Sequence, residues 1–545
     1  MANSHGEVPP AASHSANWAG NTMASQPQIA IDPPTSLYGI LGRLGPGLII
    51  AAMIVGSGEL VVTTKTGAEA GFWLLWLIVL GCVIKVFAQV EFGRYAISTG
   101  KATVEAMNEM PGPRLHVSWL LWYWLVMFAF SWGQLGGIVG AVGQSLAMSI
   151  PLTGDFNRLL DEQDQWDQQA RAAGEHHRQA ELKNLHSRDP AVRKSAAQRL
   201  RSAVEAELGR PRPAYRTKDD LYWAMVVTAV TVALLVNGRY TMVQNISALL
   251  VGGFTAVTIF CAAALQFQPE WSVRWSDIVD GLSFRLPPAL EGAARSPLAT
   301  ALAAFGIIGV GATELIAYPY WCLEKGYARF TGPRSDSPVW AARANGWLRV
   351  MRWDAFASMV IYTFATVAFY VLGAAVLHRQ GLNPAGNQLV RTLAEMYVPV
   401  FGSWAQGLFL FGAFAVLYST FFVASASHAR VSADAVCVFG LVCPADGLRW
   451  GWVRAFCVII PVFSLAVYYF IPDPAELIRW SGLMQAIMLP MLAGATLYFR
   501  YRRCDPRIAP GRVWDGLLWL SALGLLLAGG WTALTTLFPR LEQWP

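Results

Sequence analysis

The chain has 545 residues, of which 54% are hydrophobic and only 14% are charged, and its mean hydropathy is +0.39. Soluble domains usually contain about 25% charged residues, so this composition excludes an ordinary soluble protein. The 23 tryptophans suit the aromatic interfaces of a protein that crosses a membrane many times. The net charge of +6 does not indicate nucleic-acid binding, because lysines and arginines of cytoplasmic loops account for it in such a protein.

The first 36 residues are rich in alanine, serine, asparagine and proline. They contain no basic start followed by an apolar core, so they do not match a secretory signal. A segment of this composition cannot bury enough apolar surface to fold by itself. We therefore predict a disordered cytoplasmic tail over residues 1–36 and a membrane domain over 37–545.

Eleven apolar segments follow, and each is long enough to cross a bilayer as a helix. They lie near residues 45–66, 70–92, 117–150, 218–236, 240–265, 298–323, 352–378, 403–428, 450–471, 476–500 and 513–538. We number them spans 1 to 11, so that spans 1–5 cover 45–265, spans 6–10 cover 298–500 and span 11 covers 513–538. The predicted fold class is an all-α membrane protein with about 11 transmembrane helices.

The distribution of basic residues predicts the orientation of these spans. The loops after spans 6 and 10 are rich in lysine and arginine, whereas the loops after spans 7 and 9 contain few. By the positive-inside rule, the loops that follow even-numbered spans are cytoplasmic. This places the N-terminus inside and the C-terminus outside.

Residues 155–217 form a polar insertion between spans 3 and 4. Alanine, glutamine, glutamate and arginine dominate it, which favours helix. We predict a short helical hairpin that stands outside the membrane. Adjacent His176 and His177 do not share a helix face, so a solvated surface is expected there rather than a metal site.

The middle of span 1 carries the sequence Gly56-Ser57-Gly58-Glu59. Glycine releases backbone carbonyls from the helical hydrogen bonds, and lipid cannot satisfy them. A carboxylate at that depth is costly unless it faces a cavity or a partner. The pattern therefore indicates an interrupted helix with a buried, functional glutamate.

Span 6 repeats this arrangement, with glycines in mid-span followed by Glu314 and Pro319. Two interrupted spans at matching positions of two five-span halves indicate a substrate site at the membrane midplane. We therefore predict a LeuT-like inverted 5+5 repeat with discontinuous helices 1 and 6. The expected helix breaks are Gly56, Gly58, Gly309, Gly311 and Pro319.

Glu59 and Glu314 are expected to approach each other where the two interruptions meet. Two carboxylates and freed carbonyls form an oxygen-only site, which hard cations such as Mg²⁺, Ca²⁺ and Mn²⁺ prefer. The alternative is structural: one glutamate pairs with a nearby cation such as Lys65 or Lys85 and only holds the bundle together. Lys85, Glu91 and Arg94 near the inner end of span 2 are expected to snorkel to the membrane surface, with an ion-pair gate as the alternative.

Several short motifs resemble the Nramp family of divalent metal transporters. Gly45-Pro46-Gly47 resembles the start of that family's first span, and Gly56-Ser57-Gly58-Glu59 falls where the family has Asp-Pro-Gly-Asn. Gly311-Ala312-Thr313 resembles the family's Gly-Ala-Thr in the sixth span. The resemblance spans most of the chain except the tail and the 155–217 insertion, and it implies a divalent metal transporter.

The sequence also departs from the family's pattern. The metal-binding Asp and Asn of the family correspond to Gly56 and Glu59, and its metal-binding Met corresponds to Leu315. The sixth-span His corresponds to Ala317. Gln134 and Gly137 stand where an acidic pair commonly helps to carry protons. Loss of sulfur predicts a preference for harder ions, and loss of titratable groups predicts weak or absent proton coupling.

The resemblance also suggests a set of metal ligands. Glu59 is the first candidate and Glu314 the second. Val55, Gly56 and Ala312 would contribute backbone carbonyls, and Ser57 and Thr313 would contribute hydroxyls. No cofactor is expected, because the metal is the substrate. The expected partners are a divalent metal ion and the lipid bilayer of the bacterial inner membrane, and not nucleic acid.

Two other functions remain open at this stage. An amino-acid or amine transporter of the same broad fold would use Gly-Ser-Gly to hold a carboxylate, although the two glutamates would repel that group. A sensor or scaffold that no longer transports would use the 155–217 insertion for docking. An enzyme is not expected, because the sequence contains no nucleotide-binding loop or nucleophile motif.

Overall fold

The computed structural model describes residues 30–185, 190–237, 240–287, 297–441 and 447–538. Residues 1–29 of the predicted tail therefore lie outside the described part of the chain. The prediction of disorder is wrong for residues 30–36, because Ile31 N donates to Phe330 O at 3.0 Å and Trp347 Nε1 donates to Ile31 O at 2.8 Å. Within that part, ten helices are long and apolar enough to cross a membrane. They are Pro46–Ala70, Leu75–Thr99, Trp119–Ser149, Asp219–Asn237, Thr241–Phe267, Pro338–Gln380, Ala405–Val438, Arg449–Phe470, Pro474–Arg503 and Arg512–Leu537. They correspond to spans 1–5 and 7–11.

Span 6 completes the set but is divided into two shorter helices, Pro297–Phe305 and Ala312–Lys325. Apart from the helices of the 155–217 insertion, the other described elements are short. They comprise the helices Leu37–Leu41, Thr103–Asn108, Trp275–Gly281, Tyr327–Thr331, Leu389–Ala394 and Val398–Phe401, and the antiparallel strands Arg114–Leu115 and Val117–Ser118.

Two spans are longer than the apolar pattern predicts. The helix of span 7 begins at Pro338 rather than near residue 352. Ser337 caps this start, because its Oγ accepts a hydrogen bond from Val339 N at 3.1 Å. The helix of span 8 continues to Val438 rather than ending near 428. Hydropathy marks the segment that lipid tolerates, whereas a helix ends where its backbone finds a cap, so the two boundaries differ.

Span 1 occupies the centre of the bundle. It is almost entirely buried, whereas spans 4, 5, 9 and 11 bury only 33–39% of the residues in their apolar segments. Close backbone approach fixes span 6 against span 10, because a Cβ at Gly306 would lie 2.2 Å from Gly482 O. The two interrupted spans are therefore enclosed by the rest of the bundle.

The 155–217 insertion contains the helices Asp155–Leu185 and Pro190–Glu207, which pack against each other. Arg199 donates to both Glu181 oxygens, at 2.8 and 3.0 Å, across the pair. The first helix also contacts the loop between spans 7 and 8, where Arg391 lies 3.2 Å from Asp161 and 2.8 Å from Asp164. The insertion and the loop between spans 7 and 8 therefore lie on the same side of the bundle.

Candidate functional site

The interruption of span 1 is a widened helix and not an unwound chain. The α-helix ends at Ile54, a π-helical segment covers Val55–Thr63, and the α-helix resumes at Thr64. Thr63 Oγ1 donates to Gly58 O at 3.1 Å inside this segment. The α-helix is thus discontinuous at the predicted place, but the expected break at Gly56 and Gly58 differs in kind, because the carbonyl of Gly58 is satisfied inside the wider helix.

Span 6 is interrupted by a non-helical segment from Gly306 to Gly311. Gly309 has φ +60°, a conformation that side chains other than glycine rarely adopt, and Gly311 precedes the first residue of the second helix. Pro319 lies inside the continuous helix Ala312–Lys325, so the prediction of a break there is wrong. Buried neighbours on every side hold that helix despite one lost backbone hydrogen bond.

Glu59 reaches from span 1 into the interruption of span 6. Its side chain is fully buried, and Oε1 accepts a hydrogen bond from Gly309 N at 3.0 Å. Thr366 Oγ1 on span 7 also lies 3.0 Å from Oε1. The other oxygen, Oε2, is buried and has no hydrogen-bond partner among the described residues. A buried carboxylate oxygen without a partner is costly, and this marks the position as a candidate ligand site.

Glu314 folds back over the first turn of its own helix. Its Oε2 accepts a hydrogen bond from Thr313 Oγ1 at 3.0 Å, and it would lie only 2.3 Å from a Cβ at Gly311. Glycine at 311 therefore leaves the space that the carboxylate occupies. Gln485 of span 10 lies beside it, with Oε1 3.0 Å from Thr313 Oγ1. A carboxylate at this end of a helix is favoured by the helix dipole.

Lys85 of span 2 approaches the same segment from the other side. Its fully buried ammonium group donates to Phe305 O and, at 2.7 Å, to Ile308 O. The expectation that Lys85 snorkels is wrong, because the carbonyls released by the interruption satisfy it inside the bundle. Within the described residues no direct ion pair joins Lys85 to Glu59 or Glu314, and Lys65 pairs with Glu69 at 3.3 Å.

Gly56 packs against span 8 instead of lining open space. Its N–H donates to Thr420 Oγ1 at 3.0 Å, and a Cβ at this position would lie 2.2 Å from that oxygen. The side chain of Thr420 therefore fills the space that a side chain at position 56 would need. Val55 and Ala312 are buried next to the interruptions, and the side chain of Ser57 lies outside what the structure describes.

The altered family positions are occupied by groups that do not change charge. Gln134 Oε1 accepts hydrogen bonds from Ser481 Oγ and Gln485 Nε2, both at 2.8 Å. A Cβ at Gly137 would lie 2.6 Å from Pro474 O, so spans 3 and 10 touch there. Leu315 and Ala317 are buried apolar residues.

Sequence reasoning missed three side chains that shape the site: Thr366, Thr420 and Asp354. Threonines in apolar spans give no distinctive pattern, so nothing marked Thr366 or Thr420. Asp354 is a buried carboxylate near the start of the apolar part of span 7. Its position within an apolar segment is the sequence signal that could have marked it as functional. Its two oxygens accept hydrogen bonds from Gly45 N at 2.8 Å and Gly47 N at 2.6 Å.

This arrangement agrees with a known family. A model of the Nramp family, described as natural resistance-associated macrophage protein-like, matches residues 217–535, which is more than half of the chain. The chain belongs to the Nramp family. Members of this family are transporters rather than enzymes, in agreement with the sequence prediction, and the helices that can cross a membrane make this Nramp protein an integral membrane protein.

Relatives of this Nramp protein match it over limited regions. An uncharacterized protein of Pasteurella multocida is 23% identical over 273 residues, which are 47% of this chain and 61% of the relative. The divalent metal cation transporter MntH of Mycobacterium tuberculosis is 26% identical over 125 residues, which are 23% of this chain and 29% of the relative. The matches thus cover less than two thirds of either relative.

Several solved structures are similar over nearly the whole chain. The manganese transporter of Eremococcus coleocola matches with a TM-score of 0.58 and 14% identity, covering 93% of this chain and 89% of the other. Likeness at this identity shows the fold alone. It confirms the predicted all-α membrane fold with interrupted spans 1 and 6.

Proposed function

We propose that this Nramp protein transports a divalent metal cation, a hard ion such as Mg²⁺ or Mn²⁺, by alternating access. The observation that carries the proposal is the unpartnered, buried Oε2 of Glu59 beside the interruption of span 6. An oxygen in this state gains a large free energy from a cation that replaces its lost water. The relative from Mycobacterium tuberculosis, a divalent metal cation transporter, supports the same class of substrate.

The proposed ligands are those that the interruptions bring together. Glu59 binds the ion through Oε2, and Glu314 contributes a second carboxylate from the start of the second helix of span 6. Val55, Gly56 and Ala312 offer backbone carbonyls, and Thr313 offers a hydroxyl; Ser57 is retained as a candidate. All of these donors are oxygen atoms, which favours Mg²⁺ and Mn²⁺ over softer metals.

Proton coupling is proposed to be weak or absent. Gln134 is held by hydrogen bonds to span 10, and Gly137 and Ala317 carry no titratable group. A proton relay needs side chains that gain and lose charge, and these three positions cannot do so. Fixed amide and hydroxyl groups therefore replace the relay beside the site.

The proposed setting is the bacterial inner membrane with the N-terminus in the cytoplasm. This orientation follows from the basic loops after spans 6 and 10. The hairpin of the 155–217 insertion then lies outside the cell. Its contact with the loop between spans 7 and 8 supports this arrangement, because the positive-inside rule places that loop outside as well.

Ion flux into proteoliposomes tests the proposal. The purified full chain is compared for Mg²⁺, Mn²⁺ and Ca²⁺ uptake with a pH-sensitive dye inside the vesicles. Mg²⁺ and Mn²⁺ uptake without acidification is the expected result. Mn²⁺ uptake with stoichiometric acidification would refute the absence of coupling, and absence of flux for all three metals would refute the substrate class.

Glu59→Gln identifies the site within the same assay. The amide keeps the shape of the side chain but removes the charge, so uptake is expected to fall roughly tenfold or more. Glu69→Gln is the matched control, since Glu69 lies at the end of span 1 and pairs with Lys65 and Asn383. Equal uptake by the two variants would contradict the assignment of Glu59.

A further inference from the structure

Lys85 places a positive charge at the interruption of span 6, the segment that both candidate carboxylates also approach. Its ammonium group donates to the carbonyls of Phe305 and Ile308, and it lies 4.6 Å from the centroid of the Phe305 ring. The residue is fully buried in the described structure. A buried ammonium group in a membrane protein is rare and costly, which calls for a reason beyond helix packing.

We propose that Lys85 is a built-in cation of the transport site and that it determines the site's affinity and charge preference. This inference rests on the proposed transport function. The carbonyls of Phe305 and Ile308 are among those that the interruption releases from the helix, and Lys85 donates to both of them. The transported ion is therefore bound by the carboxylates and not by these carbonyls.

The charge balance gives the consequence. With each group in its charged form, Glu59 and Glu314 contribute two negative charges and Lys85 one positive charge, which leaves a single negative charge for the ion. A divalent ion then leaves the occupied site with one excess positive charge. Removal of Lys85 would let the divalent ion neutralise the site completely, so binding would be tighter and release slower.

The three charged groups are connected through one short backbone segment of span 6. Gly309, which donates to Glu59 Oε1, immediately follows Ile308, which accepts from Lys85. Gly311, over which Glu314 folds, follows two residues later. A short segment of span 6 thus transmits both the position and the field of Lys85 to the carboxylates.

Isothermal titration of the purified full chain with Mn²⁺ alone tests this inference. Lys85→Gln keeps two N–H donors for the carbonyls but removes the charge, so we expect Mn²⁺ to bind roughly tenfold tighter or more. Lys65→Gln is the matched control, because Lys65 lies at the end of span 1 and pairs with Glu69. The affinity of this variant for Mn²⁺ should equal that of the wild type. Unchanged or weaker binding by Lys85→Gln overturns the inference.

A second variant keeps the test decisive if Lys85→Gln does not fold. The double variant Lys85→Gln/Glu314→Gln retains the net charge of the natural site. We expect it to bind Mn²⁺ roughly tenfold tighter than Glu314→Gln alone. If Lys85 only supports the structure, the double variant binds more weakly than Glu314→Gln, and the inference is overturned.

The outcome also separates this inference from the proposed function. If the wild type and Glu59→Gln both fail to bind Mn²⁺, the proposed function fails and the inference that rests on it fails too. If the wild type binds Mn²⁺, Glu59→Gln does not, and Lys85→Gln gains nothing, only the role of Lys85 is refuted.

Discussion

Glu59 on span 1 accepts a hydrogen bond from the backbone nitrogen of Gly309 in the interruption of span 6, at 3.0 Å. This N–H is available because Gly309 lies between two helices and not inside one. The contact links the two interrupted spans at one atom. It also leaves the second oxygen of Glu59 buried and without a partner in the described structure.

We expect Gly309→Ala to impair both stability and transport. The residue has φ +60°, and a Cβ would lie 2.9 Å from Cys82 Cα, so the segment must shift and its N–H must leave Glu59. The strain amounts to about 1–2 kcal/mol. Thermal unfolding in detergent and Mn²⁺ uptake measure the two effects. Gly407→Ala, in a helix with open space around it, is the control and should keep wild-type uptake.

Gly56→Asp should not restore a family-like metal site. Thr420 Oγ1 and Val416 O would lie 2.2 and 2.8 Å from the new Cβ, and the second of these is a backbone atom that cannot rotate away. Overpacking of this kind costs about 1–3 kcal/mol. The expected result is a lower unfolding temperature with no gain in Mn²⁺ uptake. A stable variant with faster Mn²⁺ uptake would show that the contact with Thr420 is not fixed.

Asp354→Asn should loosen the beginning of span 1. The carboxylate accepts from Gly45 N and Gly47 N, and Tyr318 of span 6 also donates to it at 3.0 Å. An asparagine would direct an N–H at one of these donors, at a cost of about 1–3 kcal/mol. Hydrogen exchange over residues 45–54 should become faster.

The control for this exchange experiment is Asp515→Asn. Asp515 pairs with Arg500 at the start of span 11, and in the described part of the chain it makes no hydrogen bond to span 1. Exchange over residues 45–54 should remain at the wild-type rate in this variant. Unchanged exchange in Asp354→Asn would show that the cap is dispensable.

Glu105, which lies outside the membrane spans, makes the free energy of unfolding depend on pH. It lies in the short helix Thr103–Asn108, where its pKa is raised from 4.5 to about 7; burial is the main cause, Asp434 and Glu109 add to the rise, and Lys101 and Arg449 oppose it. The folded state thus holds the proton more tightly, so the stabilisation is complete below pH 4.5 and is lost as the pH rises through about 7.

The variant Glu105→Gln mimics the protonated side chain at every pH. We therefore expect it to exceed the wild type in free energy of unfolding by about 1–3 kcal/mol at pH 8 and to differ little at pH 5. Thermal unfolding at the two pH values measures this difference. The same difference at both pH values would contradict the assigned pKa.

The sequence predicts the interrupted spans because glycine and buried carboxylates act locally. Glu59 and the glycines of span 6 are expensive in lipid wherever the helices pack, so their presence alone indicates a site. The form of the interruption is different, because it depends on partners distant in sequence. Thr420 and Thr366 decide which atoms of Gly56 and Glu59 are satisfied, and neither threonine stands out in an apolar span.

Lys85 and Pro319 show more clearly where prediction from the sequence fails. A lysine near the end of an apolar span normally reaches for the surface, but here the carbonyls of Phe305 and Ile308 satisfy it within the bundle. A proline normally ends a helix, but the helix from Ala312 to Lys325 continues through Pro319 in a fully packed setting. In both cases a tertiary contact outweighs the local preference, and no pattern in the sequence indicates that contact.

Arg391 joins the first half of the chain to the second through its ion pairs with Asp161 and Asp164. All three side chains are a third or more exposed, so each pair contributes only about 0–1 kcal/mol and weakens as salt is added. The insertion is therefore held to the loop between spans 7 and 8 by a weak contact that can break and re-form. When the two halves separate on this side, the ion pairs break at little cost in free energy, and they re-form when the halves return. The ionic strength of the surrounding medium sets this cost.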